Sequence, residues 1–298
     1  MKVSYLLRLY ENGERNFTNV DLSGSDLRGV TLIGVNLREA NLMGANLTRA
    51  FLTKSDLSGA LLNWANLSFV KMSEAKLVET DLTKANLNGA FLVKSKLPRA
   101  KLSGATICGA NLRGANLWGA NLCGANLQRS NLREANLSGV NFNWANLGEG
   151  RLVGAKIYGA SFNSVNFSKA FLKGLDLSGV DLEGVNFSEA KLIGANLESA
   201  NLVGADLSDA QMSGVNLQGA DLTGAKLTKA SLEQANLIGT VLSKADLSDA
   251  DLRGALLSGA SFEDEQLNHA IFDSSQNIFS RATEGGVTFE QAATVTVM

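Results

Sequence analysis

Few residues in this sequence are of a type that could do chemistry. Nucleophilic or acid–base catalysis through histidine would rest on His269 alone, because the 298-residue chain has one histidine. Catalysis needs several specific groups that converge in one pocket, so we expect His269 to lie on the surface. Cys108 and Cys123 have no metal-type spacing to a histidine, and we interpret them as free thiols. The sequence therefore predicts no enzyme, no cofactor and no metal site.

Three further patterns resemble binding motifs, and each has a simpler explanation. The glycine pair in residues 109–114 recurs because the sequence is repetitive, and it does not indicate a phosphate loop. Asn-Leu-Ser and Asn-Leu-Thr triplets match the glycosylation pattern many times for the same reason. The aspartates of residues 246–251 lack the glycine-containing pattern of a calcium loop, so we interpret them as a solvated surface.

The element that must position all these residues is a five-residue repeat. A central Leu, Phe, Ile or Met recurs at every fifth position from Phe17 to Phe272, which gives 52 repeats. A small residue nearly always stands two positions before this central residue, with Leu175 and Glu265 as exceptions. Apolar residues two apart face the same side of an extended chain, whereas an amphipathic helix needs a period of 3.6. The pattern predicts an extended chain that bends in every repeat and therefore coils.

The repeats resemble the pentapeptide repeat family. Residues 110–127 contain Ala-Asn-Leu in four successive repeats, which matches the consensus of that family, and the resemblance extends over residues 17–272. It implies an all-β fold, the right-handed quadrilateral β-helix, with four repeats in each coil. On that basis we expect about thirteen coils, in which every residue lies directly below the residue twenty positions later.

The ends of such a solenoid must be covered, because the core and the unpaired backbone are exposed there. We expect residues 1–15 to be an N-terminal cap that contains a short helix, with Gly13 as its stop. The apolar stripe of this helix consists of Val3, Leu6, Leu7 and Tyr10. Residues 16–273 would form the β-helix, and residues 274–298 a C-terminal cap or a flexible tail. The resemblance to members that dimerise through their C-terminal ends implies a homodimer as the alternative role of that end.

An Asn or Asp usually stands directly before the central residue. We predict that these side chains form hydrogen-bonded ladders from coil to coil, as stacked amides do in cross-β structures. One such column consists of Asp26, Asn46, Asn66, Asn86, Thr106, Asn126, Asn146, Asn166 and Asn186.

Departures from the repeat pattern mark the positions where binding could be encoded. Every twentieth residue from Leu32 defines one face, and its outward positions include phenylalanines and many basic residues against Glu74 and Glu134. The candidate interaction face consists of Phe51, Lys54, Lys71, Phe91, Lys94, Arg113, Arg133, Arg151, Phe171, Lys173 and Lys191. The alternative is that Phe is tolerated there and that the basic residues maintain solubility. Trp64 and Trp144 share a second face, with Trp118 around the corner, and could also anchor a partner.

The function predicted from these features is a non-catalytic scaffold that presents rigid faces to an unknown protein partner. The resemblance implies an alternative, in which the rod mimics DNA and binds a type II topoisomerase (gyrase), protecting or inhibiting it. Such mimicry needs an acidic surface, but the chain has 29 acidic against 27 basic residues. The acidic excess is confined to the C-terminal third, at Asp206, Asp209, Asp221, Asp246, Asp249, Asp251, Glu263, Asp264 and Glu265.

The sequence has no apolar run long enough to span a bilayer, and its first residues lack the features of a secretion signal. We therefore expect a cytoplasmic, bacterial protein. We do not expect direct binding of nucleic acid, since the net charge is −2.

Overall fold

A computed structural model describes residues 1–262, 267–273 and 296–297 of the chain. The chain divides into two compact units, Met1–Phe162 and Asn163–Met298, and each is described by itself. The named elements are the helix α1 (Val3–Glu11) and the strands β1 (Ile271–Phe272) and β2 (Thr296–Val297). Repeats of the same backbone geometry occupy most of both units.

Each repeat ends in a tight turn that starts at the central residue. The N–H three residues after the central residue donates to its carbonyl, as from Ala120 to Leu117 at 2.9 Å. The residue two after the central residue adopts a left-handed conformation, with φ of 63° at Gly119. This explains why glycine recurs at that position, because a residue with a Cβ pays about 1 kcal/mol or more in the left-handed region. Side chains such as Lys94 nevertheless occupy it, with φ of 55°.

The Asn or Asp before the central residue stabilises the turn of its own repeat. Its side-chain oxygen accepts the backbone N–H two residues later, as Asn116 Oδ1 does from Trp118 at 3.1 Å. This is the local hydrogen bond that makes Asn and Asp favourable in turns. The two residue types can exchange here, since Asp176 Oδ1 accepts the N–H of Ser178 in the same way at 3.2 Å.

Backbone hydrogen bonds join residues about twenty positions apart and so build the coils. In the first unit the N–H of Leu117 donates to the carbonyl of Asn136 at 2.8 Å, and Asn116 forms a parallel bridge with Asn136. The same register holds in the second unit, where Asn196 bridges to Asn216. These bridges confirm four repeats in each coil. The extended part of a repeat is so short that the coils pair through single residues rather than through long strands.

Side-chain hydrogen bonds between neighbouring coils occur on more than one column of Asn and Asp positions. On the predicted column, Thr106 donates to Asn86 Oδ1 at 3.3 Å. On the column of Asn116, by contrast, Asn136 Nδ2 donates to Asn116 Oδ1 at 3.1 Å. In the second unit Asn216 Nδ2 donates in the same way to Asn196 Oδ1 at 3.0 Å. The amides therefore act within their own repeat first and link coils second.

The central residues and the small residues before them form the core of each unit. Phe142 and Phe162 stack in the first unit with ring centroids 5.5 Å apart, and Phe167 and Phe187 stack in the second at 5.3 Å. A buried leucine contributes about 2 kcal/mol to stability, so the core is a sum of many similar contributions. Leu175, the large exception at a small position, is also buried.

Buried hydroxyl groups replace alanine at several small positions, and all but that of Ser130 have a hydrogen-bond partner among the described residues. Ser55 Oγ donates to the carbonyl of Leu32 at 2.8 Å, and Thr80 Oγ1 donates to that of Leu57 at 2.8 Å. Each hydroxyl thus satisfies a hydrogen bond inside the coil.

Helix α1 precedes the first coil of the first unit and contacts it. Leu6 is fully buried, whereas Val3, Leu7 and Tyr10 of the predicted stripe are half-buried. The backbone N–H of Ile33 donates to Tyr10 Oη at 3.2 Å. The helix ends at Glu11, two residues before the predicted stop.

Strands β1 and β2 pair in parallel, with Ile271 opposite Thr296 and Phe272 opposite Val297. The rest of the predicted C-terminal cap or tail, residues 274–295 and 298, lies outside the described residues, as do residues 263–266. The pairing places one short segment of the C-terminal region against the end of the last repeats.

Candidate interaction surface

The first unit contains eight of the residues predicted to form the interaction face. We call their surface the Leu32 face: the outward positions around the central residues 32, 52, 72, 92, 112, 132 and 152. Parallel bridges run along it from Phe51 to Lys71 and from Lys71 to Phe91. Since bridged strands lie about 4.8 Å apart, side chains in neighbouring coils contact one another.

Aromatic and cationic side chains alternate on the Leu32 face. Lys71 Nζ lies 4.7 Å from the ring centroid of Phe51, which is a cation–π geometry, and Phe51 is half-buried. Phe91, on the other side of Lys71, is 45 % exposed. The face therefore offers one exposed aromatic ring next to a lysine.

The other cations of this face occupy the turns and the position after the central residue. Lys54 and Lys94 lie at the left-handed turn position and are exposed. Arg113 Nη2 donates to Glu134 Oε1 at 2.8 Å, and this exposed pair contributes little to stability. Arg133 occupies the position of Arg113 in the next coil.

Arg151 completes the face in the first unit. Its backbone bridges to Asn131, and its side chain is exposed. The structure thus brings together the eight residues of the first unit that the sequence predicted.

The remaining three predicted residues lie together in the second unit. Phe171 bridges to Lys191, and Lys191 Nζ lies 4.6 Å from the centroid of the half-buried Phe171 ring. Lys173, two residues after Phe171, is exposed. The motif of a lysine over a phenylalanine one coil below thus occurs in both units.

The tryptophans are exposed at the corners of the first unit. Trp64 and Trp144 occupy equivalent turn positions and are 59 % and 64 % exposed. Trp118 lies under the guanidinium of Arg99, which is 5.1 Å from its ring.

Several exposed apolar side chains were not singled out from the sequence. Tyr158 is 90 % exposed, and Leu61 and Phe69 are 41 % and 50 % exposed. Phe69 lies flat against the next coil, since a Cβ on Gly89 would be 2.5 Å from its ring. The repeat register could have predicted the exposure of all three side chains, because each occupies an outward position of the repeat.

The residues considered for chemistry are placed apart. His269 is exposed at a turn position, with φ of 59°, and Cys108 and Cys123 are half-buried free thiols, as predicted. Asp246 accepts the N–H of Ser248 at 3.0 Å within its own turn. Within residues 1–262, 267–273 and 296–297, no three His, Cys, Asp or Glu side chains are grouped to hold a metal ion. Over the same residues, no helix is both long and apolar enough to cross a membrane.

Charge is distributed very unequally between the two units. Residues 1–162 contain 19 Lys and Arg against 11 Asp and Glu, a net charge of +8. Residues 163–298 contain 8 Lys and Arg against 18 Asp and Glu, a net charge of −10. The acidic C-terminal third is apparent in the sequence, whereas the basic character of the whole first unit was not predicted, because the overall charge balance is close to zero.

Solved structures include several similar chains. HetL, a pentapeptide repeat protein involved in heterocyst differentiation regulation from the cyanobacterium Nostoc sp. strain PCC 7120, is 32 % identical; the match covers 91 % of this chain and 97 % of that chain, with a TM-score of 0.31. A trypsin-treated variant of QnrB1, a plasmid-mediated fluoroquinolone resistance protein, is 17 % identical over 83 % of this chain and 91 % of that chain, with a TM-score of 0.31.

A third similar structure is the pentapeptide repeat protein Rfr23 from the cyanobacterium Cyanothece 51142. It is 28 % identical over 53 % of this chain and 96 % of that chain, with a TM-score of 0.25. A comparison with curated proteins finds no match. The family model described as pentapeptide repeats matches residues 16–148 and 151–276, which is most of the chain. The chain therefore belongs to the pentapeptide repeat family, whose fold is the right-handed β-helix.

Proposed function

We propose that this chain is a non-catalytic interaction scaffold and that the Leu32 face of its first unit binds a protein partner. The observation that supports the proposal is the alternation of lysine and phenylalanine along Phe51, Lys71 and Phe91 on a backbone fixed by bridges. Aromatic and arginine side chains are the residues that contribute most to binding energy at protein interfaces. The family to which the chain belongs is generally structural or interacting rather than catalytic.

The chemistry of the face defines the kind of partner that it fits. The coil leaves this surface flat and regular, so the partner needs an extended surface rather than a protruding loop. Arg113, Arg133 and Arg151 supply cations that pair with carboxylates. Phe91 supplies an exposed ring that is desolvated on contact. We therefore expect a partner with acidic residues around an apolar patch.

Charge reversal on the face tests the proposal. The face-reversed variant replaces Lys71, Arg113, Arg133 and Arg151 by Glu. Both this variant and the wild type are used as bait in the native cell extract, and the bound proteins are quantified by mass spectrometry. We expect a partner of the wild type to be reduced at least about tenfold on the face-reversed variant, since loss of buried charge pairs costs a few kcal/mol.

A matched control variant distinguishes the effect of changing the Leu32 face from the effect of changing the net charge of the protein. The control variant replaces Lys156, Lys226, Lys229 and Lys244 by Glu, which gives the same change in charge at exposed positions outside the face. It should retain the partner. If every partner of the wild type stays bound to the face-reversed variant, the proposal is wrong.

Two finer features of the fold are also proposals. We propose that α1 caps the first coil, because Leu6 is buried and Tyr10 accepts a hydrogen bond from Ile33. Deletion of residues 1–13 should then lower the thermal midpoint, and an unchanged midpoint would contradict the capping role. The number of coils, about thirteen, and a homodimer through the C-terminal end stay predictions.

The alternative function, mimicry of DNA toward a type II topoisomerase, is favoured by one observation. Residues 174–225 contain eight acidic residues and one basic residue, Lys191. The net charge of +8 on the first unit opposes such mimicry there. A gyrase supercoiling assay, with and without a quinolone, tests it: no effect of the purified protein would exclude this function.

A further inference from the structure

Two segments of equal length have opposite charge. The cationic segment, residues 82–133, contains eight Lys and Arg and no Asp or Glu. The acidic segment, residues 174–225, contains eight Asp and Glu and one Lys. Each is 52 residues long, and the cationic segment belongs to the first unit while the acidic one belongs to the second.

One pair of positions is equivalent in the two segments. Lys96 and Lys101 each precede a central residue, and they flank the turn at Pro98 and Arg99. The residues 80 positions later are Asp176 and Asp181. Each unit has a register of twenty residues, and both pairs occupy the positions directly before two successive central residues, so lysines in one unit correspond to aspartates in the other.

The two lysines form no ion pair among the described residues. Lys96 and Lys101 are exposed, and no carboxylate among the described residues lies within 4.0 Å of either ammonium group. Lys96 bridges to Lys76 of the neighbouring coil and Lys101 bridges to Asp81, with the bridged backbones about 5 Å apart. Lys76 Nζ itself lies 3.5 Å from Asp56. Since neither Lys96 nor Lys101 forms an ion pair among the described residues, both ammonium groups are accessible to an anion from outside.

The two aspartates are fixed but have no cationic partner among the described residues. Asp176 Oδ1 accepts hydrogen bonds from the backbone N–H of Ser178 and from Asn196 Nδ2, at 3.2 and 3.1 Å. Asp181 Oδ1 accepts hydrogen bonds from Asn201 Nδ2 at 2.8 Å and from the backbone N–H of Glu183 at 3.3 Å. All these bonds use Oδ1, and both side chains are exposed. The carboxylates are therefore oriented in advance for a cation from outside.

We propose that the edge formed by Lys96 and Lys101 of one copy binds the edge formed by Asp176 and Asp181 of a second copy. The two edges are built on the same turn geometry, so the lysines and the aspartates are attached at equivalent positions of the backbone repeat. A second copy supplies an acidic segment that complements the cationic segment in length and in sign of charge. The inference goes beyond the proposed function, because Lys96 and Lys101 lie outside the Leu32 face.

Self-association measured by sedimentation velocity tests this inference. The full chain is studied over a range of concentrations at about 0.05 M and about 1 M NaCl, between which the screening length falls from about 14 to about 3 Å. We expect concentration-dependent association at low salt and monomers at high salt. A wild type that stays monomeric at low salt would overturn the inference, and so would association that is insensitive to salt.

Variants in which lysines and aspartates are exchanged then test whether these residues form the contact between the two copies. The variant Lys96→Asp/Lys101→Asp and the variant Asp176→Lys/Asp181→Lys should each associate at least about tenfold more weakly than the wild type. Both changes suit the coil, because each residue type already occupies this position in the other unit. An equimolar mixture of the two variants should associate again, as should the variant with all four changes.

The remaining outcomes are also decisive. The control Lys226→Asp/Lys244→Glu has the same change in net charge as the lysine variant and should associate like the wild type. If the mixture does not associate, or if the control loses association equally, the inference is wrong. Binding of a fluorescent DNA duplex to Lys96 and Lys101 without any self-association would likewise overturn it. None of these variants alters the Leu32 face, so failure here leaves the proposed partner site untouched.

Discussion

The cationic and acidic segments have the same interior and opposite exteriors. Leu117 and Leu197 occupy equivalent central positions and are both buried, and Asn116 and Asn196 make the same hydrogen bond to the N–H two residues later. Only the outward side chains differ systematically. The inward and turn positions therefore determine the coil. The outward positions can vary in charge and so can encode recognition.

The largest effect should come from truncating a buried central leucine at equivalent positions of the two segments. Leu117→Ala and Leu197→Ala should each lower the free energy of unfolding by about 3 kcal/mol, because both remove a fully buried side chain and leave a cavity. Denaturant titration of the two variants measures the loss. Gln218→Ala, at an exposed position, should change stability by less than about 0.5 kcal/mol. If the two variants lose free energies of unfolding that differ by more than about 2 kcal/mol, the interiors of the two segments are not equivalent.

A smaller effect should come from the left-handed turn position. The second residue after each of these leucines is Gly119 in the cationic segment and Ser199 in the acidic one, with φ of 63° and 55°. Gly119→Ala should destabilise by about 1 kcal/mol and Ser199→Gly should stabilise by a similar amount, because a Cβ is strained in this region. The thermal midpoints of both variants check the signs. A loss of stability in both would mean that the side chain of Ser199 has a role that outweighs the strain.

The sequence predicted the architecture well because the repeat is visible in every inward position. The central residues from Phe17 onward, the small residues before them and the preference for glycine in the turn all follow from the coil. The number of repeats per coil came from the family resemblance, since a period of five alone does not define it. The bridges between residues twenty apart confirm that number.

The surface was predicted less completely, for physical reasons. The sequence placed Phe51 and Phe91 on one face, but it could not show that Phe51 is half-buried under Lys71 while Phe91 is exposed. That difference depends on side-chain torsions and on the neighbour one coil away. Similarly, Asn116 was expected to link coils, and its hydrogen bond within its own turn became visible only in the structure. The repeat register predicts which side chains point outward, but it does not predict which neighbours those side chains contact.

The smallest expected effect distinguishes the two segments by pH. Hydrogen bonds from the hydroxyl and the N–H of Ser178 hold the pKa of Asp176 below its usual range. A carboxyl whose pKa is lower in the folded state stabilises the fold above its ordinary pKa of about 4, and this contribution is lost as the pH falls through the lowered value. Asp176→Asn keeps the acceptor oxygen but cannot titrate.

The stability of the wild type relative to Asp176→Asn should therefore be constant above about pH 5 and should decrease toward pH 2. Denaturant midpoints measured across this range give the difference directly. Lys96→Gln, at the equivalent position of the cationic segment, retains Asp176, so its stability relative to the wild type should not follow this acid transition. Parallel curves for Asp176→Asn and the wild type down to pH 2 would contradict the role of the Ser178 hydrogen bonds. In that case the two segments would differ only in the charge of their outward side chains.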